Sequence, residues 1–116
     1  MAEEDADGTA ALAVVYSTWP DRASAEAAAR RLVEDRLASC VALLPGMQST
    51  YRWQGAIETA EEVVMLAKTR GSRAEAVMAA ITAVHPYEVP ALLVLPVAAA
   101  SAAYGAWVSA ETGEGS

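Results

Sequence analysis

The sequence predicts an α+β fold, because runs of strand-forming residues alternate with two amphipathic helices. Between the helices lies a long β-hairpin, with arms Cys40–Trp53 and Ala56–Thr69 and with Gln54 and Gly55 at its tip. A short helix follows the last strand. The order βαββαβ is that of ferredoxin-like domains, in which two helices cover one face of an antiparallel sheet.

The chain has 116 residues, the length of one domain. We assign residues 11–112 to this domain, 1–10 to a flexible acidic tail and 113–116 to a frayed end. The formal net charge is −7, but much of it lies at the ends, in Glu3, Glu4, Asp5, Asp7, Glu111 and Glu114. Without these six the charge is −7 + 6 = −1, and this balance argues against a nucleic-acid partner.

Cys40 is the only cysteine, so the chain has neither an internal disulfide nor a CxxC metal motif. The acidic start lacks the basic and apolar regions of a signal peptide, which favours the cytoplasm. Residues 89–110 are uncharged and long enough to span a bilayer. Pro90 and Pro96 interrupt any helix there, so we predict a strand and an Ala-rich helix and no membrane span.

The first strand, Leu12–Ser17, is apolar enough to be buried on both faces. Thr18–Asp21 predicts a turn in which Asp21 caps a helix over residues 22–37. The inward face of that helix repeats at intervals of three and four residues, as expected for an amphipathic helix. Its members are Ala25, Ala28, Ala29, Leu32, Val33 and Leu37.

The hairpin is longer than its own domain is wide. At about 3.3 Å per residue each arm extends roughly 46 Å, whereas a compact chain of this size has a diameter of about 35 Å. An overhanging ribbon with free edges favours pairing with another copy of the chain. Pro45 and Gly46 predict a bulge in the first arm.

After Gly71, the residues Ser72 to Glu75 form a capping-box pattern, which predicts a helix over residues 73–84. The proline-bounded loop His85–Pro90 ends that helix. Leu92–Val97 predicts the last strand, and the final helix begins near Ser101. The inward stripe predicted for the second helix is Ala74, Val77, Met78, Ile81 and Val84.

Two residues could bind a metal ion. His85 is the only histidine, and imidazole suits copper or zinc. One histidine does not make a metal site, so a structural role for His85 remains open. Cys40 could be a soft-metal ligand, or it could be buried as a small apolar residue.

A second group of candidates lies on the hairpin. Tyr51 and Trp53 share a strand face near the tip, where they could pack between subunits or line a cleft with Lys68, His85 and Tyr87. Lys68 is the only lysine and lies among apolar residues, so it needs a carboxylate or an anionic ligand. Glu62 shares its face but lies about 20 Å away along the strand, so the two can meet only across chains.

The sequence contains no GxSxG elbow, P-loop or GxGxxG motif, so it predicts neither an enzyme nor an organic cofactor.

Several segments resemble the CutA family of divalent-cation tolerance proteins. They are TWPD at Thr18–Asp21, LASCVALLPG at Leu37–Gly46, the tip pattern SxYxWxGxI from Ser49 to Ile57, Glu62, Lys68-Thr69, and HPYEVPALLVLPV at His85–Val97. The resemblance implies a homotrimer similar to the PII signalling trimers, with clefts between subunits, and a role in tolerance of copper and other divalent ions. Some relatives carry Cys in place of Ser17 and His in place of Val84, and an acidic residue usually stands where this chain has Ala91.

Two functions follow from these observations. The first is a cytoplasmic homotrimer that binds divalent metal ions, copper above all. The second is a PII-like signalling or adaptor trimer that binds a small anion or a partner protein in its clefts, where Lys68, Tyr51, Trp53 and Tyr87 would contribute more than His85.

Overall fold

The computed structural model describes residues 11–113, and the predicted acidic tail and most of the predicted frayed end lie outside this range. The elements are β1 (Leu12–Trp19), α1 (Arg22–Glu34), β2 (Cys40–Trp53), β3 (Ala56–Arg70), a 3-10 turn (Gly71–Arg73), α2 (Ala74–Val84), β4 (Leu92–Pro96) and α3 (Ala102–Glu111). The described strands form one antiparallel sheet in the order β2-β3-β1-β4. This is the α+β, ferredoxin-like arrangement that the sequence predicts.

The core lies between one face of the sheet and the helices α1 and α2. Alternate residues of β1 and β3, such as Val15 and Met65, point toward the helices and are fully buried against Leu32 and Ile81. The other side of the sheet, which we call the open face, carries Val14, Tyr16, Cys40, Leu44, Glu62, Val64, Leu66, Lys68, Leu93 and Leu95. On this face Val14 and Tyr16 are only partly buried, so β1 is not buried on both sides as its composition suggested.

The hairpin projects from the rest of the sheet, as its length predicted. Strand β3 pairs with β1 only from Val63 onward, so residues 56–62 pair with β2 alone. The described chain measures 49 × 26 × 24 Å as a result. The pairing with β2 shifts register between Leu44 and Met47, which confirms the predicted bulge, and Gly46 has a φ of +85° there.

Helix α1 ends at Glu34, three residues earlier than predicted. Arg36 adopts a left-handed conformation with a φ of +59°. Its N–H donates to the Val33 carbonyl at 3.1 Å, and the N–H of Leu37 donates to the Leu32 carbonyl at 3.0 Å. This is a Schellman ending, and Leu37 still packs against the core from beyond the helix.

The predicted capping box at α2 does not form. The helix begins at Ala74 after the 3-10 turn, and no side chain caps its first turn. Val84, predicted to face inward, is exposed because the helix ends there and the chain turns away at His85. The cap predicted at α1 is present, since Asp21 accepts from the Ser24 N–H. The last helix begins after Ser101, whose side chain accepts from the Tyr104 N–H.

The hairpin tip provides a direct test of the fold. Gln54 and Gly55 both have positive φ, at 52° and 85°, which is the type I′ turn that joins two twisted strands. A Cβ at Gly55 would meet no atom within 4 Å, so Gly55→Ala should cost only the left-handed backbone penalty, about 1 kcal/mol of unfolding free energy. Urea denaturation at a fixed protein concentration measures it.

Gln54→Asn is the matched control, because asparagine tolerates positive φ better than glutamine does. It should leave the unfolding free energy unchanged or raise it slightly. Equal stability of Gly55→Ala and the parent chain would contradict the assigned turn.

Candidate functional site

Three of the predicted site residues meet where the projecting hairpin joins the body of the sheet. The loop after α2 carries His85 and Tyr87 across the end of β1 toward β3. His85 Nε2 contacts the carbonyl oxygen of Thr18 at 2.8 Å, and the Tyr87 hydroxyl donates to Glu62 Oε2 at 3.0 Å. The loop is thereby attached to both strands.

The hydrogen bonds of His85 define its tautomer. The Thr18 carbonyl can only accept, so Nε2 carries the proton. Nδ1 accepts the Tyr87 backbone N–H at 3.0 Å and is therefore unprotonated. Both nitrogens of the neutral ring are engaged, so a metal ion could bind His85 only by replacing one of these bonds.

Trp19 packs against the ring of this histidine. The centroids of the Trp19 and His85 rings lie 4.2 Å apart, and those of the Tyr87 and His85 rings lie 5.0 Å apart. Trp19 is fully buried, and its Nε1–H donates to Ser17 Oγ at 2.8 Å. The sequence predicted a turn at Thr18–Asp21, but β1 continues through Trp19. Trp19 was therefore not predicted as part of the site.

Glu62 is the charged centre of the cluster. Its side chain is buried, with 8% of the residue surface exposed. Oε1 accepts the Ser49 hydroxyl at 2.7 Å, and Oε2 accepts the Tyr87 hydroxyl. The ion pairs of the described chain all lie along α1, so no basic side chain within residues 11–113 neutralises Glu62.

Tyr87 responds to this carboxylate. Partial burial, the hydrogen bond to Glu62 and the negative charge of Glu62 together raise the pKa of Tyr87 to about 12. Tyr51 and Asp21 add smaller electrostatic contributions to the same pKa. Tyr51 itself is exposed on β2, level with Glu58, and makes no hydrogen bond to Glu62, His85 or Tyr87.

The structure does not bring Lys68 or Trp53 to this cluster. Lys68 lies six residues beyond Glu62 on β3, level with Cys40 on one side and Val14 on the other. Trp53 lies at the tip of the hairpin and is half-exposed. Cys40 is partly buried on the open face instead of in the core.

Within residues 11–113, no group of three or more His, Cys, Asp or Glu side chains is arranged to hold a metal ion. None of the described helices is both long enough and apolar enough to cross a membrane.

Comparisons with known proteins agree on one family. The family model described as "CutA1 divalent ion tolerance protein" matches residues 13–111. The divalent-cation tolerance protein CutA of Pectobacterium atrosepticum is 44% identical over 97 residues, covering 84% of this chain and 88% of the relative.

Solved structures give the same result. CutA from Xylella fastidiosa superimposes with a TM-score of 0.86 at 41% identity, covering 88% of this chain and 98% of that one. The periplasmic divalent cation tolerance protein CutA from Archaeoglobus fulgidus superimposes with a TM-score of 0.85 at 31% identity, covering 88% and 99%.

The Tyr87–Glu62 contact predicts an unusual titration. Tyr87 should ionise near pH 12 instead of at the ordinary pKa of 10.0, and Glu62→Gln should lower that value by removing the charge. Because the folded-state pKa is raised, the stabilisation from neutral Tyr87 is complete below pH 10 and is lost as the pH rises from about 10 to about 12. Tyrosinate absorbance of the parent chain minus that of Tyr87→Phe isolates this group.

Circular dichroism recorded over the same pH range shows whether the chain stays folded. Ionisation of Tyr87 near pH 10 in the folded chain would contradict the contact.

Proposed function

The chain belongs to the CutA1 family of divalent ion tolerance proteins, and we propose that it binds divalent metal ions, copper above all, as a cytoplasmic homotrimer. It acts in this proposal as a binding protein and not as an enzyme. The family match over nearly the whole domain carries the proposal. The lone unpaired cysteine is typical of a reducing compartment and supports the cytoplasm.

Self-association is supported by the open face. Leu44, Leu93 and Leu95 are all exposed there. Leu95 and Leu93 adjoin the partly buried Val14 and Tyr16, and Leu44 adjoins Val64. A contiguous apolar surface of this kind usually marks an interface. The outer edges of β2 and β4 have no strand partner among the described residues, which also favours pairing with another copy. The number of three copies comes from the family resemblance.

The proposed metal sites are completed by neighbouring subunits. His85 contacts Thr18, which is level with Val64, whereas Cys40 is level with Lys68. Four residues of strand separate these two positions by about 13 Å, so His85 and Cys40 of one chain cannot share an ion. Imidazole and thiolate both suit copper. Ligands from two or three chains would have to converge on each ion.

A PII-like signalling or adaptor trimer is a second candidate function. The observation that favours it is Lys68, whose ammonium has no ion-pair partner within residues 11–113. A half-buried cation without a counter-charge favours an anionic ligand. This function would use Lys68 and the cleft residues Tyr51, Trp53 and Tyr87 instead of a metal ligand.

The trimer can be tested through its apolar surface. Leu93→Asp places a charge on the open face, at a residue that is 56% exposed in the single chain. It should leave the fold intact but dissociate the assembly, because burying an unpaired carboxylate at an interface is costly. Val33→Asp is the matched control, since Val33 is similarly exposed at 43% but lies on α1. Light scattering after size-exclusion chromatography gives the mass of each variant.

The parent chain and Val33→Asp should elute with the mass of three chains, and Leu93→Asp with the mass of one. A monomeric parent chain would refute the assembly. If the two substitutions change the measured mass equally, the open face is not the interface.

Calorimetric titration with Cu²⁺ and Zn²⁺ tests metal binding. We expect saturable Cu²⁺ binding tighter than millimolar, weakened at least tenfold in His85→Ala by loss of a ligand. Bound Cu²⁺ should also quench tryptophan fluorescence, because the Trp19 ring lies 4.2 Å from His85. Glu58→Gln, which removes a carboxylate on the exposed part of the hairpin, is the control and should change neither readout. Binding that does not saturate, or that is equal in His85→Ala, argues against copper as the ligand.

A further inference from the structure

Lys68 lies in the wall of a cavity of about 310 Å³ at the α3 end of the sheet. The walls come from β1, β3, the segment after β4 and the first turn of α3. They include Leu12, Val14, Lys68, Val97, Ala100 and Tyr104. The volume is at the lower end of the range for small-molecule sites.

The cavity combines an apolar wall with one positive charge. Leu12, Val14, Val97 and Ala100 bring hydrocarbon side chains to it, and Thr69, Ser101 and Tyr104 add uncharged hydroxyl groups. The strand neighbours of Lys68 are Val14 and Cys40, and neither is acidic. No carboxylate within residues 11–113 lies at ion-pairing distance from the Lys68 ammonium. The cavity therefore offers one cation that no described carboxylate neutralises. The mainly apolar surface beside it makes it costly to bury a second charge.

This composition selects both the charge and the shape of a ligand. A single carboxylate would neutralise Lys68, and an attached hydrocarbon chain would cover Val14 and Val97. A phosphate or a dicarboxylate would place a second negative charge against apolar side chains without a cation to balance it. An uncharged alcohol of the same length would leave the ammonium unpaired.

We propose that this cavity binds a small organic monocarboxylate, with its carboxylate on Lys68 and its short aliphatic chain against Val14 and Val97. The inference rests on the second candidate function, anion binding, and extends it by naming the ligand class and by taking every lining residue from one chain. Lys68 and Val14 lie on the open face, so the site requires an assembly that leaves the α3 end of this face uncovered. The proposed copper ligands His85 and Cys40 do not line this cavity, although Cys40 is the β2 neighbour of Lys68.

Hexanoate is the probe, titrated into the full chain by calorimetry. Tryptophan emission gives a second readout, because the Trp107 ring lies 5.7 Å from that of Tyr104 in the cavity wall. We expect hexanoate to saturate the site, while 1-hexanol, hexylamine and inorganic phosphate bind at least tenfold more weakly. Lys68→Met should weaken hexanoate at least tenfold through loss of a charge-assisted hydrogen bond.

Two further variants test the space in the cavity and the charge of Lys68 separately. Ala100→Phe fills the cavity from an exposed loop position and leaves Lys68 in place, so it should also weaken hexanoate at least tenfold. Arg52→Met removes a cation from the exposed part of the hairpin and should change nothing. Equal losses in Lys68→Met and Arg52→Met would refute the site, because net charge alone would then explain the binding.

The remaining outcomes distinguish this inference from the function on which it rests. Hexanoate binding that needs Lys68 but is unaffected by Ala100→Phe would overturn the cavity and leave anion binding elsewhere at Lys68 intact. Phosphate binding as tight as hexanoate would overturn the ligand class alone. If Lys68→Met dissociates the assembly, Lys68 pairs with a carboxylate of another copy and the inference is wrong. If neither hexanoate nor phosphate binds, both the inference and the anion-binding form of the second candidate function fail.

Discussion

This structure depends on strand β3, which pairs with β2 and with β1 over different lengths. β2 pairs with β3 along almost all of its length, whereas β1 pairs only from Val63 to Arg70. The point where β1 stops is also where the hairpin leaves the body of the sheet. Glu62 is the first residue beyond that point, so no β1 residue stands beside it. Tyr87 reaches its carboxylate from the loop after α2, and Ser49 donates to it from the β2 side.

The chemistry of the candidate site follows from this junction. A buried carboxylate is tolerated when its oxygens accept hydrogen bonds, and Glu62 obtains them from two neutral hydroxyls. One of these belongs to a loop that His85 holds against Thr18 through a neutral imidazole. His85 thus positions Tyr87 within a single chain, whatever further role it takes in an assembly. Ser17 supports the site indirectly. Its hydroxyl accepts a hydrogen bond from the buried Trp19, whose ring packs against His85.

Local patterns in the sequence predicted the fold well. The hairpin arms, the bulge at Pro45-Gly46 and the tip at Gln54-Gly55 are set by alternation and turn chemistry between near neighbours. The end of α1 was misjudged because Leu37 keeps the apolar spacing of a helix while packing on the core from beyond it. Its neighbour Arg36 takes a conformation that glycine usually adopts.

Less of the site could be predicted. His85 and Tyr87 were identified by residue type and by resemblance, but their partners Thr18 and Glu62 lie 67 and 25 residues away in sequence. Contacts over such separations depend on the crossing of the loop over the strand ends, which no periodicity encodes. The isolation of Lys68 among apolar residues was predicted from the sequence, but its cross-strand neighbours Val14 and Cys40 emerged only from the sheet register.

The bulge between Leu44 and Met47 gives the projecting hairpin a mechanical property. From Met47 to Trp53 the ribbon is about 23 Å long and has no third strand beside it in the described chain. The bulge is therefore the point about which the ribbon could tilt, and the Ser49–Glu62–Tyr87 contacts lie next to this pivot. A tilt of about 5° at that pivot displaces the tip by about 2 Å, on the same strand length. Such a tilt would carry Trp53 through nearly half the spacing between strands.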